Sequence, residues 1–231
     1  MSGRVVAITG GFGALGRAVA IEAAGRGWSV AALDFSPAPP SELEAALASN
    51  GLALGRIDLT KADDARRAIE TVIERFGRLD ALLNIAGGFV WQTLADGDPA
   101  AWSRMFTLNV ETAANASRAA LPHLIRSGSG RIVNIGANGA LNAAAGMGAY
   151  AASKAGVHKL TESLAQETKG QITVNAVLPS IIDTPANRKD MPDADYALWV
   201  SPKALANVLL FLASEEASAV TGALIPVTGG V

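Results

Sequence analysis

A tyrosine and a lysine stand four residues apart in the segment Tyr150–Lys154 (YAASK). In a helix this spacing puts both side chains on one face, about one turn apart. A nearby ammonium favours the phenolate and so lowers the pKa of a tyrosine, which can then exchange a proton with a reacting group near neutral pH. A pair of this kind standing alone is usually a surface pair, so its interpretation depends on the motifs around it.

A glycine-rich turn near the start of the chain supports a catalytic interpretation. It contains Gly11-x-Gly13-x-x-Gly16 between a predicted strand and a predicted helix. Glycines at such a junction let the backbone approach a pyrophosphate, which then meets free N–H groups at the helix N-terminus. The cofactor-binding residues predicted in this turn are Gly10, Gly11, Phe12, Gly13, Ala14, Leu15 and Gly16.

Asp34 stands at the end of the second predicted strand. A carboxylate there can accept hydrogen bonds from both ribose hydroxyls of adenosine and would repel a 2′-phosphate. Phe35 follows it, so neither arginine nor lysine comes next to neutralise a phosphate. The sequence therefore favours NAD(H) over NADP(H), with a turn or capping role for Asp34 as the alternative.

The surrounding pattern predicts the elements that must position these residues. Short, almost wholly apolar runs alternate with longer segments rich in alanine and leucine, as in a parallel sheet covered on both faces. The predicted strands are Val5–Thr9, Ser29–Leu33, Ala53–Asp58, Ala81–Ile85, Arg131–Ile135, Thr173–Leu178 and Ala223–Val227. Helices are expected at about 13–26, 41–50, 62–76, 100–126, 149–168 and 202–214. The fold class is therefore α/β, a Rossmann-like doubly wound sheet of about seven parallel strands in one domain, 1–231.

The segment 184–201 interrupts this alternation. It is polar, holds two prolines and carries scattered large side chains. Because a long irregular segment inside a compact domain is usually functional, we predict a substrate lid here, with a solvated connection as the alternative.

Composition excludes several other classes of protein. Only 17% of the 231 residues are charged, the formal net charge is −2, and no basic cluster is present, which argues against nucleic-acid binding. Cysteine is absent, and the two histidines, His123 and His158, lack ligand spacing, so we expect no metal site and assign both to packing or surface roles. Neither a signal peptide nor a membrane-spanning run is evident, so a cytoplasmic protein without membrane contacts is expected.

Taken together, the motifs resemble those of the short-chain dehydrogenase/reductase family over essentially the whole chain. Thr9–Gly16 is similar to the family's glycine-rich turn, with Ala14 where many members have glycine. Asp58-Leu59 resembles the pair that holds the adenine ring. Asn84–Gly87 resembles an Asn-Asn-Ala-Gly motif, with Ile85 as a departure.

The resemblance continues into the second half of the chain. Asn109 matches a helical asparagine that supports a proton-relay water, and Tyr150 with Lys154 matches the catalytic pair. Pro179–Thr184 resembles a segment that binds the nicotinamide carboxamide. Beyond the glycine turn and Asp34, the cofactor-binding residues that the resemblance implies are Asp58, Leu59, Asn84, Ala86, Gly87, Tyr150, Lys154, Pro179, Ile182 and Thr184.

One departure concerns the substrate. The family usually carries a serine thirteen residues before the tyrosine, where its hydroxyl bonds the substrate oxygen, but this chain has Ala137. Asn138 could donate from a shifted position. A carbonyl reductase would thus lack one of two oxygen-stabilising donors, a loss of about 2–4 kcal/mol by analogy with oxyanion-hole deletions.

The same departure is expected in one branch of the family, the dihydropteridine reductases. Three stretches are similar to that branch: 86–91, with its Gly-Gly and aromatic residues, 136–150, and 183–199. The last covers the predicted lid, where substrate choice should reside. The candidate substrate residues are Ala137, Asn138, Trp91, Met191 and Trp199.

We therefore expect NADH-dependent hydride transfer to a small-molecule acceptor. The resemblance implies that this acceptor is a quinonoid dihydropterin. The alternatives are reduction of a carbonyl, such as a 3-ketoacyl thioester, and a non-catalytic NAD(H)-binding sensor. Alanine-rich stretches at 113–120 and 151–156 permit close helix approach. Packing within the chain would explain them, but the resemblance implies a subunit interface and hence a homodimer or homotetramer.

Overall fold

The computed structural model describes residues 3–231, which form one seven-stranded sheet with helices on both faces. The strands are β1 (Val5–Thr9), β2 (Ser29–Leu33), β3 (Gly51–Leu54), β4 (Ala81–Asn84), β5 (Arg131–Ile135), β6 (Thr173–Pro179) and β7 (Leu224–Val227). Their order is β3-β2-β1-β4-β5-β6-β7, and every neighbouring pair is parallel. The predicted doubly wound α/β fold in a single domain is confirmed.

The helices are α1 (Ala14–Gly25), α2 (Ser41–Leu47), α3 (Ala62–Phe76), α4 (Ala100–Phe106), α5 (Thr112–Arg126), α6 (Gly148–Glu167), α7 (Pro185–Asp190) and α8 (Pro202–Leu212). The single helix predicted at 100–126 consists of α4 and α5, joined by a π-helical turn, Thr107–Glu111. Of the others, only α7 lacks a counterpart among the predicted helices, and it lies in the segment predicted as a lid.

The third strand is shorter than the predicted Ala53–Asp58. It ends at Leu54 because the chain then turns through Arg56, whose φ is 61°. The turn packs against the loop after β2, with the Arg56 N–H donating to the Ser36 carbonyl at 3.1 Å. The Ile57 N–H donates to the Asp34 carbonyl at 2.9 Å, so the loops after β2 and β3 meet at one end of the sheet.

Both faces of the sheet are buried, which explains why its strands are almost wholly apolar. All five residues of β1 are buried. Val6 and Ile8 pack with α1 and α8, whereas Val5 and Ala7 pack with α3 and α5 on the opposite face. No helix within residues 3–231 is long and apolar enough to cross a membrane.

The strand order reverses at β1, because the chain builds outward to β3 and then crosses to β4 on the other side. In open α/β sheets ligands bind outside the carboxyl ends of the strands at such a point. The ends of β1 and β4 are joined there, since the Thr9 hydroxyl accepts hydrogen bonds from the N–H groups of Ile85 at 3.0 Å and Ala86 at 3.1 Å.

Candidate active site

A cleft of about 770 Å³ opens at the carboxyl ends of β1, β2 and β4 and extends to the start of α6. Its volume is within the range of small-molecule and cofactor sites. It brings together most of the predicted cofactor-binding residues, namely Gly10, Gly13, Ala14, Leu15, Gly16, Asp34, Asp58, Leu59, Ala86, Gly87, Tyr150, Lys154, Ile182 and Thr184.

A second cavity, of about 520 Å³, lies where β5 and β6 begin, at the opposite end of the sheet. Its buried cation is Arg131, whose Nε donates to the Ser214 carbonyl at 3.0 Å and whose Nη1 donates to the Gly130 carbonyl at 2.9 Å. The guanidinium is thus bonded to backbone carbonyls, one of them that of Ser214 just after α8, and has a structural role. The predicted acid–base pair, Tyr150 and Lys154, lies in the larger cleft, which is therefore the candidate site.

The glycine turn leaves its backbone accessible to a ligand. Gly10 has a φ of 65°, and a Cβ there would lie 2.9 Å from backbone atoms of Ala86. A Cβ on Gly16 would overlap the Gly10 carbonyl oxygen, so the first turn of α1 can pack this tightly only with glycine. Gly13, at the start of α1, provides no side-chain cap. The first N–H groups of α1 thus remain available, and the turn fits a pyrophosphate.

Asp34 faces the cleft with its carboxylate held by the backbone. One oxygen accepts from the Phe12 N–H at 2.9 Å and the other from the Ser36 N–H at 2.8 Å. Each oxygen keeps a further acceptor site, so the turn role does not exclude binding of ribose hydroxyls. Arg17, in the first turn of α1, is paired with Glu42 of α2. The arrangement allows Asp34 to accept hydrogen bonds from ribose hydroxyls, and its discrimination against a 2′-phosphate stays a prediction.

Asp58 occupies the same end of the cleft. Its Oδ1 accepts hydrogen bonds from the Thr60 hydroxyl at 2.6 Å and the Thr60 N–H at 3.1 Å. The hydroxyl bond, followed by the N–H bond and Lys61, holds the pKa of Asp58 below its ordinary value. Beside it, the buried side chain of Leu59 gives the wall an apolar surface suited to a flat ring.

Tyr150 and Lys154 form the other end of the cleft, one turn apart on α6. The Lys154 ammonium donates from Nζ to the Ile135 carbonyl at 2.8 Å. The ring of Phe89 meets the ring of Tyr150 edge-on, with centroids 4.9 Å apart. Both members of the pair are therefore held in place by neighbours on other elements.

The pKa values of this pair correct one expectation. Burial raises the pKa of Tyr150 to about 12 and lowers the pKa of Lys154 to about 8. The ammonium was expected to lower the pKa of the tyrosine, but the cost of burying a phenolate dominates in this structure. Tyr150 is therefore a neutral phenol at physiological pH, in the form that can donate a proton to a substrate being reduced.

The lowered pKa of Lys154 predicts a pH-dependent stability. Between pH 8 and 10.5 the unfolded chain binds a proton at Lys154 that the folded chain does not, so stability should rise with pH across this window. From pH 8 to pH 10.5 the unfolding free energy of the wild type should rise by up to about 3 kcal/mol relative to that of Lys154→Met, which has no ammonium at this position. Urea denaturation at several pH values measures it, and a difference independent of pH would contradict the prediction.

Asn109 lies on the π-helical turn and is buried behind the cleft wall. Its Oδ1 accepts from the Gly88 N–H at 3.0 Å, and its Nδ2 donates to the Gly88 carbonyl at 3.1 Å and to the Ser153 hydroxyl at 2.9 Å. The Ser153 hydroxyl in turn donates to the Tyr150 carbonyl at 2.7 Å. Asn109 thus connects the loop after β4 to α6, and its support of a relay water stays a prediction.

Four residues predicted to bind the cofactor lie behind the cleft wall instead. Gly11 and Phe12 are buried, and Gly11 packs against Ala32 of β2. Asn84 is the last residue of β4, and its Nδ2 donates to Ser117 and Asn134 rather than toward the crevice. Pro179 ends β6 and is likewise buried. These positions shape the wall through packing and hydrogen bonding.

The candidate substrate residues do not line this cleft. Two of them, Ala137 and Trp91, lie beside the end that Tyr150 and Lys154 form. Ala137 is 4% exposed and precedes a 3₁₀ turn, Asn138–Ala140. Trp91 is 60% exposed, and its indole N–H donates to the Ala145 carbonyl at 3.1 Å. Its ring lies over Gly146, where a Cβ would overlap it. The loops at 88–92 and 144–147 are thereby joined near the N-terminus of α6.

The segment 184–201 leaves the sheet and returns to it at one place. The Asp183 N–H donates to the Val200 carbonyl at 2.8 Å, and the Val200 N–H donates to the Ile181 carbonyl at 2.9 Å. Thr184 caps α7 by accepting from the Asn187 N–H at 3.2 Å. The segment therefore begins at the rim of the cleft, where Thr184 lines it, and returns to the same place. The role of this segment as a lid stays a prediction.

Trp199, a candidate substrate residue, does not present a ring face to an acceptor in this structure. The ring is only 8% exposed and packs against Tyr196 with centroids 4.8 Å apart. It anchors the returning end of the segment. Met191, at the end of α7, is half-buried and also lies outside the cleft wall.

Several cleft residues were not predicted. Most directly follow or precede a predicted one, so extending each motif by a residue would have found them. Leu108 is one of these, since it precedes Asn109 on the π-helical turn, whereas Thr112 reaches the cleft from the start of α5, which no local pattern indicates. The full set is Phe35, Ile57, Thr60, Ile85, Gly88, Phe89, Leu108 and Thr112.

Several known proteins are similar to this chain. A family model described as short chain dehydrogenase matches residues 4–195. The 3-oxoacyl-(acyl-carrier-protein) reductase FabG of Thermotoga maritima is 32% identical over 246 residues, covering 100% of this chain and 98% of that protein. Carveol dehydrogenase from Mycobacterium avium, solved in complex with NAD, is 27% identical with a TM-score of 0.88, covering 100% of this chain and 98% of the other. ElxO with NADP bound is 25% identical with a TM-score of 0.90, covering 99% and 98%.

Proposed function

The chain belongs to the short-chain dehydrogenase family of oxidoreductases, and we propose that it uses NADH to reduce a quinonoid dihydropterin. Residue 137 carries this proposal. Ala137 has a methyl group where the family carries a hydroxyl, and its N–H already donates to the imidazole of His158 at 3.3 Å. An isolated ketone concentrates charge on one oxygen and is served best by two donors. A conjugated dihydropterin spreads that charge over several heteroatoms and depends less on the second donor.

In this proposal the chain's own residues supply binding and the proton. NADH, when bound, supplies the hydride. Tyr150 gives the proton that completes the reduction to a tetrahydropterin, and Lys154 holds the ribose next to the reacting ring. Asn109 positions Gly88 and, through Ser153, the start of α6. Trp91 offers an exposed aromatic surface for a flat acceptor.

The preference for NADH over NADPH rests on Asp34. Because this carboxylate should bond the ribose hydroxyls and repel a 2′-phosphate, NADH is expected to bind at least about tenfold more tightly. Asp34→Asn should reduce that preference. Asp63→Asn, which removes the same charge from an exposed site on α3, should leave it unchanged. Nicotinamide fluorescence gives both dissociation constants, and equal affinities in the wild type would reject the assignment.

Reduction of a carbonyl is the second candidate, because the similar FabG protein is named as a reductase of 3-oxoacyl groups. A non-catalytic sensor is a third, but fold stability does not explain why Asn109, Tyr150 and Lys154 are brought together. Following loss of NADH with quinonoid dihydropterin, acetoacetyl thioester and simple ketones in parallel separates the three. Faster turnover of a ketone would favour the second candidate, and no turnover of any acceptor would favour the third.

A subunit interface is proposed on the face formed by α4 and α6. Trp102 and Phe106 of α4 are 43% and 48% exposed. Gly148 and Gly156 of α6 lie beside them, and their lack of side chains keeps this face flat. The surface supports a homodimer or homotetramer, which sedimentation velocity would distinguish from a monomer.

A further inference from the structure

The buried imidazole of His158 contacts the segment that carries Ala137. His158 follows Tyr150 by eight residues and Lys154 by four, so the three side chains share one face of α6. It is 4% exposed, and its Nε2 accepts the hydrogen bond from the Ala137 N–H. One turn earlier, Lys154 donates to the carbonyl of Ile135. The face that carries the acid–base pair therefore also holds the chain where it leaves β5.

Gly136 is shaped to receive this imidazole. A Cβ at Gly136 would lie 2.5 Å from Nε2 and 2.7 Å from Cδ2 of His158, closer than any real side chain allows. The Gly136 N–H donates to the Val177 carbonyl at 2.9 Å, so the sheet keeps this residue from moving away. Because the φ of Gly136 is not in the left-handed region, glycine is needed here for space.

We propose that His158 is a positioning residue that fixes the backbone of Ala137, and with it the acceptor side of the site, relative to Tyr150. The Ala137 carbonyl accepts from the Ala140 N–H at 3.1 Å, so both polar backbone groups of Ala137 are held. The inference rests on the proposed oxidoreductase function. An acceptor lying between Tyr150 and residue 137 depends on this separation, since a misplacement of about 1 Å can cost roughly 10² in rate.

The role requires a neutral imidazole. Nε2 can accept from Ala137 only when it carries no proton, because both nitrogens of a protonated imidazole are donors. Burial first, and then the charge of Lys154, lower the pKa of His158, with a smaller contribution from Lys159 and an opposing one from Glu162. A Cβ built on Gly136, the residue after β5, would contact both the ring and the Leu178 side chain of β6, and neither Gly136 nor Leu178 carries a charge.

Two substitutions at His158 separate positioning from packing. His158→Leu fills most of the same space with an apolar side chain but leaves the Ala137 N–H without an acceptor. We expect kcat/KM for the acceptor to fall at least about tenfold, with the dissociation constant for NADH within about twofold of the wild type. His158→Gln, whose Oε1 can take the place of Nε2, should recover most of the loss. His123→Leu, at the other histidine, is the matched control and should leave both constants unchanged.

Three further variants keep the test decisive if His158→Leu fails to fold. His158→Asn carries the same amide as His158→Gln but is one methylene too short to reach Ala137, so only the glutamine variant should retain acceptor kcat/KM. Gly136→Ala should lower Tm through overlap with the imidazole, and adding His158→Ala should restore Tm without restoring kcat/KM.

The assays use whichever acceptor of the panel is turned over fastest. Preference for a ketone would then reject the proposed substrate while leaving the test of His158 intact. The role of His158 is overturned if the leucine, glutamine and asparagine variants lose acceptor kcat/KM equally, or if NADH affinity falls in parallel. It is also overturned if the leucine variant keeps wild-type kcat/KM.

Discussion

Replacing Tyr150 by phenylalanine is expected to lower kcat by about 10²- to 10⁴-fold while leaving the dissociation constant for NADH nearly unchanged. In the proposed reaction the hydroxyl donates the proton, and its pKa of about 12 keeps it protonated at neutral pH. The ring keeps its edge-on contact with Phe89, and Lys154 keeps its bond to Ile135, so the cleft should retain its shape. Steady-state turnover and a fluorescence titration measure the two effects separately.

The other tyrosine of the chain provides the matched control. Tyr196→Phe also removes a phenolic hydroxyl, but one that lies outside the cleft. That hydroxyl donates to the backbone carbonyls of Pro192 at 2.9 Å and Arg188 at 3.3 Å. Its kcat should stay within about threefold of the wild type. Near-normal turnover in Tyr150→Phe would mean that the proton comes from water or from the substrate itself.

The strands could be predicted well where burial on both faces makes them continuously apolar. β1, β2 and β5 begin and end at the predicted residues for this reason. β3 was overextended because Ile57 and Asp58 continue a plausible strand pattern. The turn at Arg56 that ends it depends on contacts with Ser36, twenty residues earlier, which a local pattern does not contain.

For the candidate site too, features set within one segment could be predicted, and features set by contacts between elements could not. The glycine turn, Asp34 and the pair on α6 follow from spacing within single segments, and the structure brings them to one cleft. The direction in which Asn84 points was missed because it is set by Ser117 and Asn134 on other elements. Burial of Trp199 under its own segment, and the contact of His158 with Ala137, are likewise tertiary facts.

Restoring a hydroxyl at residue 137 is expected to change acceptor preference more than any other single substitution on this side of the site. Ala137→Ser should raise kcat/KM for simple ketones and acetoacetyl thioesters by about 10²-fold, because a second donor then stabilises the developing oxyanion. Turnover of quinonoid dihydropterin should change little, since its charge is spread over the ring. The added oxygen is small, and His158 continues to hold the backbone N–H, so residue 137 should stay in place.

Parallel assays of NADH loss with each acceptor, in the wild type and in Ala137→Ser, measure this change of preference as a ratio of kcat/KM values. Ala140→Ser adds the same hydroxyl at the end of the 3₁₀ turn and should leave the ratio unchanged. Equal gains for ketone and pterin would mean that the new hydroxyl acts on something other than a single oxyanion. A wild-type enzyme that already prefers the ketone would overturn the dihydropterin assignment in favour of a carbonyl reductase that works without the serine. That result would leave the fold and the proposed preference for NADH unaffected.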